Sequence, residues 1–172
     1  ALGFDWHSFV AFVDARPLLA EALAYAYRSF PVQLLILPLL LGAFGRYDRT
    51  YEMILAYGVV CYLSSVIAIW FPALGAYAMH GVEQDHLRHI GTYYGYEFLA
   101  DFNAVRENST FDLSIQSASG ILTFPSVHAA VALLCAWAAW PVKPLRYIFA
   151  GLNVLMSISA VSHGSHYVVD VV

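Results

Sequence analysis

The chain has 172 residues, of which 60% are hydrophobic and only 12% are charged, and its mean hydropathy is +0.65. Soluble domains are usually about half apolar and about a quarter charged, so this composition excludes an ordinary soluble domain and predicts a membrane protein. The formal net charge of -4 leaves no basic surface for nucleic acid. We therefore expect the lipid bilayer, and no nucleic acid, as a partner.

The first helical candidate covers residues 4–27, FDWHSFVAFVDARPLLAEALAYAY. Asp14, Arg16 and Glu21 interrupt its apolar pattern, and Pro17 is expected to kink or break the helix. These features predict an amphipathic helix that lies at the membrane interface and does not span the bilayer.

Four apolar segments follow, at residues 29–44, 52–73, 121–140 and 147–161, and a fifth starts at His166. A spanning helix needs about 17 to 25 mostly apolar residues; two segments reach this range, and the first and fourth can extend by a turn. The pattern predicts an all-α, polytopic transmembrane bundle of about five to six spans in the full protein. We expect residues 1–172 to be a single membrane-embedded domain, truncated at both ends. Asn153, Ser157 and Ser159 are expected to form hydrogen bonds between helices.

The short loops predict the orientation of these spans. Loops 45–50 and 141–146 fall on one side of the membrane and carry Arg46, Arg49, Lys143 and Arg146, against the single acid Asp48. The positive-inside rule makes that side cytoplasmic. His128 and His166 then face the opposite side, which is the periplasm for a bacterial inner membrane or the lumen for a eukaryotic one.

The stretch FPSVHAA, residues 124–130, places an ionisable ring near the start of an apolar helix. Pro125 suits the first helical position, where its missing N–H costs nothing. The amides of Ser126, Val127 and His128 would then be free donors at a positive helix end, which suits a phosphate. Alternatively, Ser126 only caps the helix and His128 is an interfacial polar residue.

A second stretch, SHGSHYVVD at 162–170, places His166 and Asp170 four residues apart, so that on a helix they share a face. A neighbouring carboxylate fixes the tautomer of an imidazole and leaves its other nitrogen free to react. An acid within a membrane segment is costly and suggests function. The alternative is a structural His–Asp pair that ties helices together.

The predicted topology brings His128 and His166 to the same membrane face. Two histidines, one of them paired with an acid, beside an amide-lined anion pocket are typical of phosphoryl transfer. One histidine can attack phosphorus while the other protonates the leaving oxygen. A cation is still needed to hold the phosphate.

These stretches resemble a known family. FPSVHAA resembles the second motif, P-S-x-H, of the type 2 phosphatidic acid phosphatase superfamily, and SHGSHYVVD resembles its third motif. Residues 104–130, together with GFDW and YRSFPVQ nearer the start, resemble the branch that includes inositol phosphorylceramide synthases and their bacterial relatives.

The resemblance implies an enzyme without a metal or cofactor that acts on a lipid phosphate or a phospholipid head group. His166 would be the nucleophile that becomes a phosphohistidine, Asp170 would orient it, and His128 would be the general acid. Ser126 and the helix-start amides would bind phosphate oxygens, with Arg106 as the first-motif arginine. The acceptor would be water or a polar alcohol such as inositol.

The chain also departs from the family pattern. Ser159 and Ala160 stand where the third motif usually has Ser-Arg, and the usual first motif, a lysine seven residues before Arg-Pro, is absent. Val127 stands where glycine is common. These departures favour the synthase-like branch over a plain lipid phosphatase. Candidates to replace the missing phosphate-binding arginine are His163, Arg88 and His89.

Other functions remain open at this point. His128 and His166 on facing helices could bind haem or another metal in a non-enzymatic bundle, or the protein could be an inactive scaffold. His86 and His89, near Glu83 and Asp85, could form half of a metal site, although such a cluster is more often a solvated loop.

Overall fold

The structure is a computed structural model that describes residues 4–71, 73–82, 86–91, 96, 99, 103 and 124–171. Throughout these ranges the regular structure is helical, without a strand. The helices are α1 (Trp6–Asp14), α2 (Pro17–Ala43), α3 (Tyr47–Trp70), α4 (Ala76–His80), α5 (Val127–Ala139), α6 (Lys143–Ser162) and α7 (Val168–Val171). The all-α prediction is confirmed.

Pro17 breaks the N-terminal segment, as predicted. Helix α1 ends at Asp14, and Pro17 occupies the start of α2, where no N–H is required. The residues after Pro17 do not belong to the short first helix, however. They form the first turns of α2, which continues through Pro31 and Pro38 to Ala43 because neighbouring helices accommodate proline within membrane helices.

Three of the described helices, α2, α3 and α6, are long and apolar enough to cross a membrane. The predicted segment at 147–161 lies within α6, which begins one turn earlier, at Lys143. The predicted segment at 121–140 is shorter than expected: its helix, α5, has 13 residues because the chain is still extended at Ser126. Residues 121–123 lie outside the described ranges.

Helix α5 packs against α2, α3 and α6, and the core lies among these four helices. Large apolar side chains fill it, including Leu37, Leu41, Met53 and Met156, together with the free thiol of Cys135. The outer faces remain apolar and exposed, for example at Leu35, Ile69, Leu133 and Ile148. Such faces suit contact with lipid.

The two short loops lie at the same end of the bundle. The Arg49 guanidinium, in the first turn of α3, lies 3.9 Å from the ring centre of Trp137 near the end of α5. Arg146, at the start of α6, packs over Trp140 at 5.0 Å. This arrangement leaves the start of α5 and the end of α6 at the opposite end, where both histidine stretches lie.

A buried polar network joins α2 to α6. Asn153 Nδ2 donates to Gln33 Oε1 at 2.8 Å, and Gln33 Nε2 donates to Ser29 Oγ at 2.8 Å. Asn153 thus bonds between helices as predicted. The same prediction is wrong for the hydroxyls of Ser157 and Ser159, which donate to carbonyls of their own helix. Serine hydroxyls inside helices commonly bond back to the preceding turn.

Candidate active site

Ser126 caps helix α5. Its Oγ accepts a hydrogen bond from the Ala129 N–H at 3.3 Å, and its carbonyl accepts from Ala130 at 3.1 Å. Pro125 therefore precedes the cap and does not occupy the first helical position, contrary to the prediction. An extended backbone at the capping residue, here with ψ of 108°, is what allows the side chain to fold back onto the helix start.

The predicted anion site keeps two of its three free amides. The Ser126 N–H is not free, because it donates to the backbone carbonyl of Asp170 at 3.1 Å. The N–H groups of Val127 and His128 donate to no residue in the described part of the chain. Within the part of the chain that the structure describes, two donors at the positive end of α5 are thus left for a ligand.

Aromatic rings from α2 hold the imidazole of His128. The ring of Tyr27 stacks on it with centroids 4.2 Å apart and planes 9° apart. Phe30, one turn later, lies 4.5 Å from the imidazole at a tilt of 36°. Ser126 thus caps the helix, as one alternative held. His128 packs against α2 at the end of the bundle and is half-buried there.

The loop after α6 turns back on itself and is clamped by α4. The N–H groups of Gly164 and His166 both donate to the Ala160 carbonyl, at 3.1 and 3.2 Å. Ser165 has a φ of +59° and is fully buried. Its carbonyl accepts from the Ala76 N–H at 2.6 Å, and its Oγ accepts from the Tyr77 N–H at 2.7 Å.

The side chain of Tyr77 adds a further clamp, since its hydroxyl donates to the carbonyl of Ser162 at the end of α6. The conformation of the loop therefore depends on a helix that lies far away in sequence.

His166 and Asp170 meet, but not in the predicted way. His166 lies in the loop before α7, so the two residues do not share a helix face; the turn at Ser165 has moved His166 out of the helix. Even so, His166 Nδ1 lies 3.7 Å from Asp170 Oδ2, and both side chains are about 95% buried.

This distance exceeds that of a hydrogen bond. Asp170 Oδ2 instead accepts from the Tyr167 N–H at 2.8 Å. Nδ1 of His166 is buried and has no hydrogen-bond partner among the described residues. The two side chains are thus close without a hydrogen bond, and the carboxylate is held in place by the Tyr167 N–H.

His163 lies at the end of α6 and is buried. Burial and, to a smaller extent, the positive charge of Arg28 lower the pKa of its imidazole to about 4, and the nearby carbonyl of Ala20 opposes the shift. The ring is therefore neutral near pH 7. Nδ1 lies 2.9 Å from Ser162 Oγ, while Nε2 forms no well-shaped hydrogen bond with the described residues.

The structure thus brings five of the six predicted site residues to one end of the bundle: His128, His166, Asp170, Ser126 and His163. The sixth, Arg106, lies outside the described residues.

Arg88 and His89, the two other candidates to replace the missing arginine, lie in a loop that contacts the end of α1. The carboxylate of Asp14 accepts from the backbone N–H groups of Arg88, His89 and Ile90, and His89 Nδ1 lies 2.7 Å from the Asp14 carbonyl. Arg88 and His89 therefore anchor a loop to the end of α1. The described residues contain no group of three or more metal-ligating side chains around His86 and His89, and Glu83 and Asp85 lie outside them.

Comparison with known proteins decides the family. The family model described as the PAP2 superfamily matches residues 1–172, the whole chain. The chain belongs to the PAP2 superfamily. No curated protein and no solved structure matches it.

Members of the PAP2 superfamily are phosphatases and phosphotransferases. Together with the three apolar helices, membership makes this chain an integral membrane protein of the phosphatase type. It also favours an enzyme over the haem-binding bundle. The narrower branch, with inositol phosphorylceramide synthases, stays a prediction.

Sequence reasoning missed two residues that lie beside the candidate site. Tyr27 contacts His128, and the charge of Arg28 reaches His163. Both lie in YRSFPVQ, which served above only as part of a resemblance. An aromatic residue and a cation side by side inside a membrane helix were the available signal.

Proposed function

We propose that this PAP2 superfamily protein is a lipid phosphatase or head-group phosphotransferase that works through a phosphohistidine. The observation that best supports the proposal is the joining of the two motifs. The Ser126 N–H donates to the Asp170 carbonyl, so the P-S-x-H segment and the His–Asp segment form one structure at one end of the bundle. A phosphoryl-transfer site needs its nucleophile and acid at a single position.

In the first step, His166 attacks phosphorus. Its Nδ1 faces Asp170, so Nε2 is the attacking atom, and the carboxylate stabilises the positive charge that develops on the ring. A nitrogen–phosphorus bond forms as the bond from phosphorus to the leaving oxygen breaks. His128 donates a proton to that oxygen, which departs as an alcohol or a diacylglycerol-like lipid.

In the second step, an acceptor hydroxyl attacks the phosphohistidine. His128, now unprotonated, takes the proton of the acceptor, and the nitrogen–phosphorus bond breaks to regenerate His166. Water as acceptor releases phosphate or a phosphorylated head group and makes the protein a phosphatase. A polar alcohol such as inositol makes it a transferase.

The phosphate oxygens would be held at the start of α5. The amides of Val127 and His128, which have no partner among the described residues, lie at a positive helix end, and the Ser126 hydroxyl retains a proton to donate. His163 contributes a neutral N–H and no charge, because its pKa is about 4. We assign the required positive charge to Arg106.

The lipid would enter sideways from the bilayer at the non-cytoplasmic face. Two arginines and their indole partners, Arg49 with Trp137 and Arg146 with Trp140, occupy the opposite end of the bundle. Such a cationic and aromatic rim suits the cytoplasmic interface. The site would then face the periplasm of a bacterium or the lumen of a eukaryotic membrane.

The test is phosphorus transfer by the purified full-length protein in vesicles, without added metal. Lipid phosphates and phosphatidylinositol would be offered with and without inositol, to the wild type and to His166→Ala. We expect turnover that His166→Ala abolishes, and an acid-labile phosphoryl group on the wild type after rapid quenching. Free phosphate or a free phosphorylated head group identifies a phosphatase, and a new phosphate ester of the added inositol identifies a transferase. An active His166→Ala protein would contradict the proposal.

A further inference from the structure

Tyr27 touches both halves of the site, although it belongs to neither motif. One face of its ring stacks on His128, with centroids 4.2 Å apart. Its edge meets the loop after α6: a Cβ added at Gly164 would lie 2.9 Å from Tyr27 Cε2 and 2.9 Å from His166 Cδ2. The ring therefore contacts the imidazole of His128 on one face and the loop that carries His166 along its edge.

We propose that Tyr27 is a positioning residue, whose ring holds the imidazole plane of His128 in register with the loop that carries His166. The proposal rests on the proposed function, since it concerns the placement of the general acid relative to the nucleophile. A proton donor displaced by about 1 Å can lose about 100-fold in rate. A residue that fixes this placement therefore affects turnover without touching substrate.

The geometry indicates that the flat ring, and not its bulk, performs this task. Planes only 9° apart restrict rotation of the imidazole about its last side-chain bond. Phe30 blocks a swing of the imidazole towards α2, at a centroid distance of 4.5 Å. Gly164 makes room for the Tyr27 edge because it has no side chain. An aliphatic residue of similar size at position 27 would fill the space but present no plane.

Three variants separate these contributions in the full-length protein. Tyr27→Phe keeps the ring and removes the hydroxyl. Tyr27→Leu removes the plane and keeps an apolar side chain. Tyr25→Leu is the matched control, because Tyr25 lies on the same helix two residues away and is 64% exposed.

Steady-state kinetics provide the first measurement. We expect Tyr27→Leu to lower kcat by about tenfold or more with little change in KM, since an interaction with the general acid is lost and substrate contacts are kept. Tyr27→Phe and Tyr25→Leu should keep the wild-type kcat. A Tyr27→Phe protein as slow as Tyr27→Leu would assign the effect to the hydroxyl and overturn the proposal.

Nuclear magnetic resonance of ring-labelled histidine provides a second measurement that needs no turnover. The His128 signal, assigned with His128→Gln, should move downfield in Tyr27→Leu, because the stacked ring no longer shields it. It should stay in place in Tyr27→Phe and Tyr25→Leu. An unmoved signal in Tyr27→Leu would show that the stack is absent and overturn the proposal.

The two proposals fail in different ways. An inactive wild type, or an active His166→Ala, overturns the phosphohistidine function and the positioning role with it. A wild type that is active, an inactive His166→Ala and a fully active Tyr27→Leu together overturn the role of Tyr27 alone.

Discussion

The backbone N–H of Ser126 donates a 3.1 Å hydrogen bond to the backbone carbonyl of Asp170. The donor belongs to the cap of α5, and the acceptor lies within α7, the short helix that follows the His166 loop. Because main-chain atoms form the bond, substitution of either side chain leaves its chemistry intact. The two motifs can therefore be tested through their side chains while their mutual placement is kept.

Asp170→Asn should lower the turnover rate strongly while leaving the fold intact. An asparagine oxygen can still accept from the Tyr167 N–H, as Asp170 Oδ2 does at 2.8 Å, but the charge 3.7 Å from His166 Nδ1 is lost. In a comparable His–Asp pair, this change lowers kcat by about 10⁴-fold, and we expect a loss of about 100-fold or more.

The measurement is turnover in vesicles together with thermal unfolding. Asp48→Asn, at the start of α3 and at the other end of the bundle, is the control and should retain turnover. Wild-type rates in Asp170→Asn would contradict a catalytic role for the carboxylate.

Gly164→Ala should lower both the stability of the protein and its turnover rate. The new Cβ would lie 2.8 Å from the Ala160 carbonyl oxygen and 2.9 Å from ring atoms of Tyr27 and His166. Overpacking of this kind costs about 1–3 kcal/mol. Gly151→Ala is the control on α6, where an added Cβ meets nothing within 4 Å.

Because alanine is the better helix former, Gly151→Ala should raise stability by up to about 1 kcal/mol. Thermal unfolding in detergent measures both effects. If both variants shift the unfolding midpoint in the same direction, the result would contradict the close contact of Tyr27 and His166 with Gly164.

Ser165→Ala should loosen the loop that carries His166. The substitution removes the Oγ that accepts from the Tyr77 N–H at 2.7 Å and leaves a buried donor unpaired. Such a loss costs about 1–3 kcal/mol. Proteolysis and hydrogen exchange of the α4 and loop segments should increase. The hydroxyl of Ser65, which bonds within α3 on an exposed face, offers the control Ser65→Ala, for which we expect almost no change.

His163 should make stability depend on acid pH. Burial, helped by the charge of Arg28, lowers the pKa of the folded-state imidazole to about 4, whereas an unfolded histidine titrates near 6.5. The unfolded chain therefore takes up a proton first as the pH falls. The stability contribution is fully present above about pH 6.5 and is lost as the pH falls towards about 4.

His163→Asn removes the titration and keeps a polar atom near Ser162. Between about pH 7 and about pH 4.5, the unfolding midpoint of the wild type should fall more than that of His163→Asn. Parallel midpoints across this range would show that His163 is not held neutral.

Helices with strong local signals could be predicted from the sequence. Pro17 ends one helix and begins the next because of its own covalent geometry, and α6 has an apolar run long enough to span. The approach of the two histidine stretches followed from alternating spans alone. The helices depend on residues close in sequence and the approach on the order of the spans, which is why pattern and spacing sufficed.

The local geometry of the site could not be predicted, because it depends on contacts between distant segments. The positive φ of Ser165 is stabilised by the first N–H groups of α4, and it moves His166 out of the predicted helix. Likewise, nothing in the spacing of YRSFPVQ shows that Tyr27 stacks on His128. A tyrosine in an apolar helix is usually a packing residue, and only the tertiary structure distinguishes this one.

The bond between Ser126 and Asp170 also determines when, during synthesis, the site can exist. When α1 to α5 have been synthesised, the chain already contains Tyr27 and His128. The loop that carries His166, and Asp170 after it, are still to be translated. A nascent chain, or one truncated after α6, would therefore be inserted in the membrane without phosphoryl-transfer activity. The site would be complete only once translation has passed Asp170.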